Sequence, residues 1–370
     1  GTPGVVGEIA RKARRMYNMQ QLARTAAQEG ASDIFVKVGV PPMVKVSGTV
    51  HPVGDEPLTP EDTEELCLSL MTREKDRRKY DQTLSCNLAW QSESAGRFRV
   101  NVYTQRGTMA MVLRKVSTQV PTLDGLGMPE TLKSVCMERT GLVLVTGATG
   151  SGKSTTLAAM VDPRCRNHAG HIVTIEDPIE FLQPDHLSIV SQREVGTDCD
   201  SFADALKDAL REAPDVVLVG EIRDREVMEV ALHFAETGHL VMGTLHSTNA
   251  SQTLDRVINF FPKEEEVQTL LALSLNLRAV VSQRLIPRAD GQGRIVAQEI
   301  LVCTPRVKDL VKRNEVNSLK PTMESGTQEG MQTFDQALYA LVNQGMVEQD
   351  VALTYAESPG DLKLKLRGFV

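Results

Sequence analysis

At 370 residues, with 41% hydrophobic and 24% charged side chains, the chain has the length for two domains with separate cores and the composition of a soluble globular protein. A net charge of −7 and only 4% aromatic residues argue against broad nucleic-acid binding. The six scattered cysteines form no C-x-x-C pair and read as reduced cytosolic thiols rather than zinc ligands, and no apolar run reaches the length of a membrane span, so membrane association is expected only peripherally or through a partner.

In chain order, residues 1–18 form an N-terminal arm carrying Arg11-Lys12-Ala13-Arg14-Arg15, a run that reads as a solvated helix end and receives no function. Residues 19–118 have an α+β pattern. Gln20 to Glu29 predicts a helix stopped by Gly30. Asp33–Val38 and Met43–Val46 predict strands around the Pro41-Pro42 turn, and Thr59-Pro60-Glu61-Asp62 predicts a capped helix start. Arg97–Val102 and Met109–Arg114 are strand-like, with Arg97 and Arg99 on one face. Residues 119–128, holding Pro121, Gly125 and Gly127, read as a linker.

Residues 129–319 alternate strand and helix, the pattern of a mostly parallel α/β sheet. Strands are expected at Leu142–Val145, Ile172–Ile175, Val216–Val219 and Leu240–Leu245, with helices capped by Ser201 and Asp224. Gln283–Pro287 and Arg294–Glu299 flank Asp290-Gly291 as a hairpin. Residues 320–370 are expected to be a polar loop from Lys320 to Gly330 followed by a helical tail over Thr333 to Ala356.

The chemistry centres on Gly147-Ala148-Thr149-Gly150-Ser151-Gly152-Lys153-Ser154-Thr155, which fits the phosphate-binding G-x-x-x-x-G-K-[ST] loop between an apolar strand and a helix start. Backbone N–H groups and the helix N-terminus hold phosphate oxygens there, Lys153 reaches the β- and γ-phosphates, and Ser154 ligates Mg²⁺. In open α/β sheets ligands bind beyond the carboxyl ends of the strands. Each of the other three strands carries a useful group there: Glu176-Asp177-Pro178-Ile179-Glu180, Gly220-Glu221-Ile222-Arg223-Asp224, and His246. Glu221 stands where a metal-supporting acid is expected, with Gly220 in place of the usual Asp before it. Glu176 and Glu180 compete for the role of general base, and Asp177 is a candidate brace for the turn. His246 is placed to sense a γ-phosphate, whereas His239 precedes its strand at the opposite end and reads as a packing histidine. No N-K-x-D guanine signature occurs, which favours ATP over GTP.

These motifs strongly resemble the type IV pilus retraction ATPases, the PilT/PilU group of the secretion ATPase superfamily, from about Met19 to Lys363. Gly147 to Thr155 matches the P-loop of that family, Ile172 to Phe181 its Asp box, Leu218 to Asp224 its Walker B segment and Thr237 to His246 its His box. The resemblance implies a PAS-like α+β N-terminal domain followed by a RecA-like P-loop ATPase domain, assembled as a homohexamer. It assigns the water-activating role to Glu180, and it places Arg99 and Arg114 among arginines that complete a neighbouring subunit's site. It implies cytoplasmic work at the pilus base, peripheral to the inner membrane, on an inner-membrane platform protein. Phe35 where PilT-type enzymes carry histidine, and Arg306-Val307-Lys308-Asp309-Leu310 in place of A-I-R-N-L, point to the PilU branch and to partnership with a PilT-type motor. The alternative is a weakly active binding subunit docked on a partner ATPase.

Overall fold

The computed structural model describes residues 17–368, so the basic run Arg11 to Arg15 lies outside the described residues. The chain divides between Ser117 and Thr118 into two units.

In the first unit, helix α1 (Met19–Gln28) is capped by Asn18, whose side chain accepts from the Gln21 N–H, and it buries Met19, Leu22, Ala23 and Ala26. Strands β1 (Asp33–Val36), β2 (Met43–Val46), β3 (Thr49–Pro52), β4 (Ser85–Ser92), β5 (Gly96–Gln105) and β6 (Thr108–Lys115) form one antiparallel sheet in the order β3-β2-β1-β6-β5-β4. Alternation along β5 buries Phe98, Val100 and Val102 and leaves Arg97 and Arg99 on the other face. The expected cap at Thr59 opens α2 (Pro60–Leu70) as a reciprocal box with Asp62. The sequence reading had no counterpart for β3, β4 or α3 (Glu74–Thr83). The physical reason is pattern: β3 is an exposed edge, and Asp76 is the single buried residue of the polar α3.

The second unit is built on a seven-stranded sheet. Its strands are β7 (Gly141–Thr146), β8 (Gly170–Glu176), β9 (Ser188–Glu194), β10 (Val216–Val219), β11 (Leu240–Leu245), β12 (Leu277–Pro287) and β13 (Arg294–Val302), in the order β13-β12-β7-β11-β10-β8-β9. All neighbours run parallel except the hairpin β12–β13. Helices α4 (Glu130–Cys136), α5 (Lys153–Asn167), α6 (Phe202–Ala209), α7 (Arg225–Glu236), α8 (Ala250–Ile258) and α9 (Glu266–Asn276) cover the sheet. Two cores result. One packs α6, α7 and α8 against one face, and the other packs α4 and α5 against the opposite face. The whole chain is therefore α/β, a PAS-like α+β unit followed by a RecA-like unit, as the motifs implied.

Several expectations need correction. Leu123 and Met128, inside the stretch read as a linker, are buried in the core with Leu132 and Val145. Lys320 to Gly330 is not a loop: α11 (Leu319–Ser325), which follows α10 (Pro305–Lys312), buries Leu319, Thr322 and Met323, and a 3₁₀ turn follows at Thr327–Glu329. Pro321 falls in the first helical turn, where no N–H is needed, so it does not break the helix. The tail is three helices, α12 (Phe334–Asn343), α13 (Gln349–Tyr355) and α14 (Pro359–Leu366), with Gly345 at φ 68° between the first two. Leu338, Val347, Ala352 and Leu362 pack on Ile286 and Ala297 of the hairpin, which makes a small separate core.

Glu299 of β13 sits beside that core, 1% exposed, and accepts from the Ala250 N–H at 2.7 Å. Burial pushes its carboxyl up to about 7, the Ala250 hydrogen bond opposes this, and the Glu357 charge adds to it. A native carboxyl raised above its ordinary value of 4.5 holds protons that the unfolded chain releases, so stability falls as pH rises from about 4.5 to 7. Glu299→Gln keeps an acceptor and removes the charge. Urea titrations at pH 5 and pH 8 should show the variant matching the parent at pH 5 and gaining about 1–3 kcal/mol at pH 8. Equal effects at both pH values would contradict this account.

Candidate active site

The loop 147–152 joins β7 to α5, and its lysine is the first residue of the helix. A cavity of about 650 Å³ opens beyond the carboxyl ends of the parallel strands. Thr149, Gly150, Gly152, Lys153, Ser154 and Thr155 line it from the loop, Glu176 and Glu180 from the end of β8, Glu221 from β10 and His246 from β11. Lys153 is buried, and its ammonium donates to the carbonyls of Gly147 at 2.8 Å and Ala148 at 3.1 Å. Burial lowers its pKa, while the Glu221 charge opposes that. A phosphate oxygen entering the loop offers this desolvated cation a charged acceptor in place of neutral carbonyls.

Glu221 is the hub of the far wall. Arg223 Nη2 lies 2.7 Å from its Oε2 and His246 Nε2 lies 3.0 Å from its Oε1. Burial alone would raise the Glu221 pKa, but the Arg223 hydrogen bond and the charges of Arg223, His246 and Lys153 outweigh it and hold the acid below its usual value. His246 Nδ1 lies 3.4 Å from Lys153 Nζ, which can only donate. The ring thus bridges Lys153 and Glu221, with Nε2 directed at Glu221. Lys153, His246 and Glu221 form one continuous polar bridge across the site. Arg223 sits in a motif the sequence displayed, yet its grip on Glu221 was not read from it.

Gly220 also has a geometric explanation. A Cβ at this position would lie 3.0 Å from the Ile175 carbonyl oxygen and 3.1 Å from the Glu176 Cα. An aspartate there would press on the β8 backbone.

The two competing acids differ in surroundings. Glu176 accepts from Thr174 Oγ1 at 2.7 Å and Gln192 Nε2 at 3.0 Å, and burial raises its pKa against those bonds. The Gln192 bond ties the end of β8 to β9. Glu180 is exposed on the cavity wall, in a position to meet water. Asp177 lies 4.0 Å from Arg223. His239 is not among the cavity residues: it packs edge-on against Phe234, with Nδ1 3.0 Å from the Phe234 carbonyl, at the amino end of β11. Arg99 and Arg114 face each other across β5 and β6 in the first unit, and Arg114 Nε donates to Asp33 Oδ1 at 2.8 Å. Burial raises the Asp33 pKa, but the hydrogen bonds from Arg114 and Ser32 outweigh it and lower it.

Among the described residues no group of three or more His, Cys, Asp or Glu could hold a metal alone. Oxygen donors on the cavity wall include the exposed Ser154 hydroxyl and the Glu221 carboxylate. Hard oxygen donors of this kind fit Mg²⁺, which fills most of its positions with water and phosphate oxygen. Among the described residues no helix is long and apolar enough to cross a membrane.

The family model described as "Type II/IV secretion system protein" matches residues 11–353. The chain is 49% identical to the Pseudomonas aeruginosa type IV pilus ATPase PilU, over 94% of this chain and 91% of that one. It is 42% identical to the type IV pilus retraction ATPase PilT of the same organism, over 92% of this chain and 99% of that one. The crystal structure of the pilus retraction motor PilT with bound ADP superposes with a TM-score of 0.84 at 41% identity, covering 94% of this chain and 99% of the other. With its loop, strand-end acids and histidine in one cavity, the chain belongs to the type II/IV secretion system protein family, in the PilT/PilU group of pilus ATPases.

Proposed function

We propose that this protein is a Mg²⁺-dependent ATPase that works as a homohexamer and powers type IV pilus retraction, as a PilU-type accessory to a PilT-type motor. The observation that carries the chemistry is the convergence of Lys153, Ser154, Glu180, Glu221 and His246 on one cavity at the strand ends. In this reading the loop N–H groups and Lys153 hold the β- and γ-phosphates, and Glu180 takes the proton of the attacking water. His246, bridging Lys153 and Glu221, reports whether the γ-phosphate is present. Mg²⁺, held by Ser154 and supported by Glu221, neutralises phosphate charge when bound. The likeness to PilU and PilT supports the pilus as the machine served, with an inner-membrane platform protein as the element pushed and a cytoplasmic position peripheral to that membrane. Phe35 and the Arg306–Leu310 segment support the accessory role.

Phosphate release by the purified assembled protein tests the enzyme reading, and absence of turnover would favour a docking subunit instead. Twitching of a deletion strain, with and without a PilT-type partner, tests the accessory role: unaltered motility in both backgrounds would remove it.

Arg99 and Arg114 are proposed to complete a neighbouring subunit's site, where an arginine supplied in trans raises phosphoryl transfer by roughly 10³ or more. Arg99→Ala and Lys153→Ala subunits should each be nearly inactive alone. Mixed rings should regain part of the activity, because some interfaces then pair an intact loop with an intact arginine. No recovery in rings shown by native mass spectrometry to be mixed would refute assistance in trans.

A further inference from the structure

Strand β12 runs parallel to β7 with Ser282 paired to Thr146, which brings the next residue, Gln283, level with the start of the phosphate loop. Gln283 is 2% exposed. Its Nε2 donates to the Ser151 carbonyl at 2.6 Å, and its Oε1 accepts from Thr156 Oγ1 at 2.9 Å. One side chain thus holds the loop backbone and the first turn of α5 together. The contact is close enough to set residue type on the loop. A Cβ at Gly147 would lie 2.6 Å from the Gln283 carbonyl oxygen, and one at Gly152 would lie 3.2 Å from Nε2. A primary amide of this length supplies a donor for a carbonyl and an acceptor for a hydroxyl at once, without any charge. Both partners are inside the protein, where losing either bond leaves a polar group unsatisfied.

The following residue points to the other face of the strand. The Arg284 guanidinium stacks on Phe334, 3.9 Å from the ring centroid, donates to the Tyr355 carbonyl at 2.6 Å and pairs with Glu357 at 3.4 Å. Adjacent residues of one strand therefore grip the nucleotide loop on one side and the C-terminal helices on the other.

We infer that Gln283 is the positioning residue of the phosphate loop, and that Gln283 and Arg284 together tie the state of that loop to the C-terminal helices. The inference rests on the nucleotide-binding reading above. It makes β12 a rigid element through which occupancy of the loop is felt about α12 and α13.

The test uses the full-length assembled protein, fluorescent ADP with Mg²⁺, and ATP turnover. Gln283→Met keeps the volume and removes both hydrogen bonds. It should weaken nucleotide binding about tenfold and raise KM by a similar factor, with kcat lowered less. Thr156→Val, a milder change, should weaken binding to a smaller degree, and the double variant should lose little beyond Gln283→Met, because the two residues share one bond. Hydrogen exchange over 334–355 should slow when ADP is added to the parent protein, and Arg284→Met should abolish that response while changing ADP affinity less than about threefold.

Parent-like binding by Gln283→Met, or fully additive losses in the double variant, would overturn the positioning role. Exchange over 334–355 indifferent to ADP in the parent would overturn the tie. Lys153→Ala separates these failures from failure of the nucleotide reading: if it binds ADP as the parent does, the reading of the loop itself is wrong.

Discussion

Lys153→Ala lowers steady-state ATP turnover by roughly two to three orders of magnitude, the scale of losing one strong transition-state contact. Lys153 is buried and held on the loop by the Gly147 and Ala148 carbonyls, and in the proposed reading it is the cation nearest the transferred phosphate. Phosphoryl transfer spreads negative charge over the γ-oxygens, and a desolvated ammonium stabilises that charge more than water does. The alanine variant also breaks the bridge through His246 to Glu221, so the far wall loses its link to the loop. Turnover is to be measured as phosphate release at saturating ATP, alongside a thermal melt that reports folding. Near-parental turnover by a folded variant would sink the assignment of the loop.

Glu180→Gln is expected to abolish hydrolysis, by roughly 10² to 10⁴, while ATP stays bound. The amide has the size of the carboxylate but cannot take a proton from water. Of the two acids at the end of β8 and after it, Glu180 faces the cavity from an exposed position, and Glu176 accepts from Thr174 and Gln192. Glu221→Gln should behave differently: it weakens the pair with Arg223 and shifts the Mg²⁺ dependence of turnover. Single-turnover assays with labelled ATP, followed by filtration to see what remains bound, separate the three acids. If Glu176→Gln traps ATP and Glu180→Gln turns over normally, the choice of base is reversed.

Much of this site was legible because its signals are local. The phosphate loop needs small residues, a lysine and a hydroxyl at set spacing between a strand and a helix start, and Gly147 to Thr155 display all of them. The buried strands β7, β8, β10 and β11 are continuous apolar runs with groups of useful chemistry just past their ends. Caps at Thr59, Ser201 and Asp224 are short-range hydrogen bonds, so the helix starts could be read one residue at a time. Elements whose stability comes from distant packing were missed. Strand β9 pairs with β8 through its backbone while Ile189 and Ser191 face water, and α11 is a polar segment held by three buried residues.

What the sequence by itself determined is the chemistry: a loop for phosphates, acids and a histidine at strand ends, and arginines on a separate unit. Tertiary structure alone decided which of these groups meet and what state they hold. Arg223 clamping Glu221, His246 bridging Lys153 and Glu221, and Gln283 reaching the Ser151 carbonyl 132 residues away are products of strand order, not of spacing along the chain. The physical reason is that hydrogen bonds and desolvation act over a few ångströms in space. Parallel strands reach those separations only after long crossovers, so β12 lies beside β7 with four parallel strands' worth of chain between them.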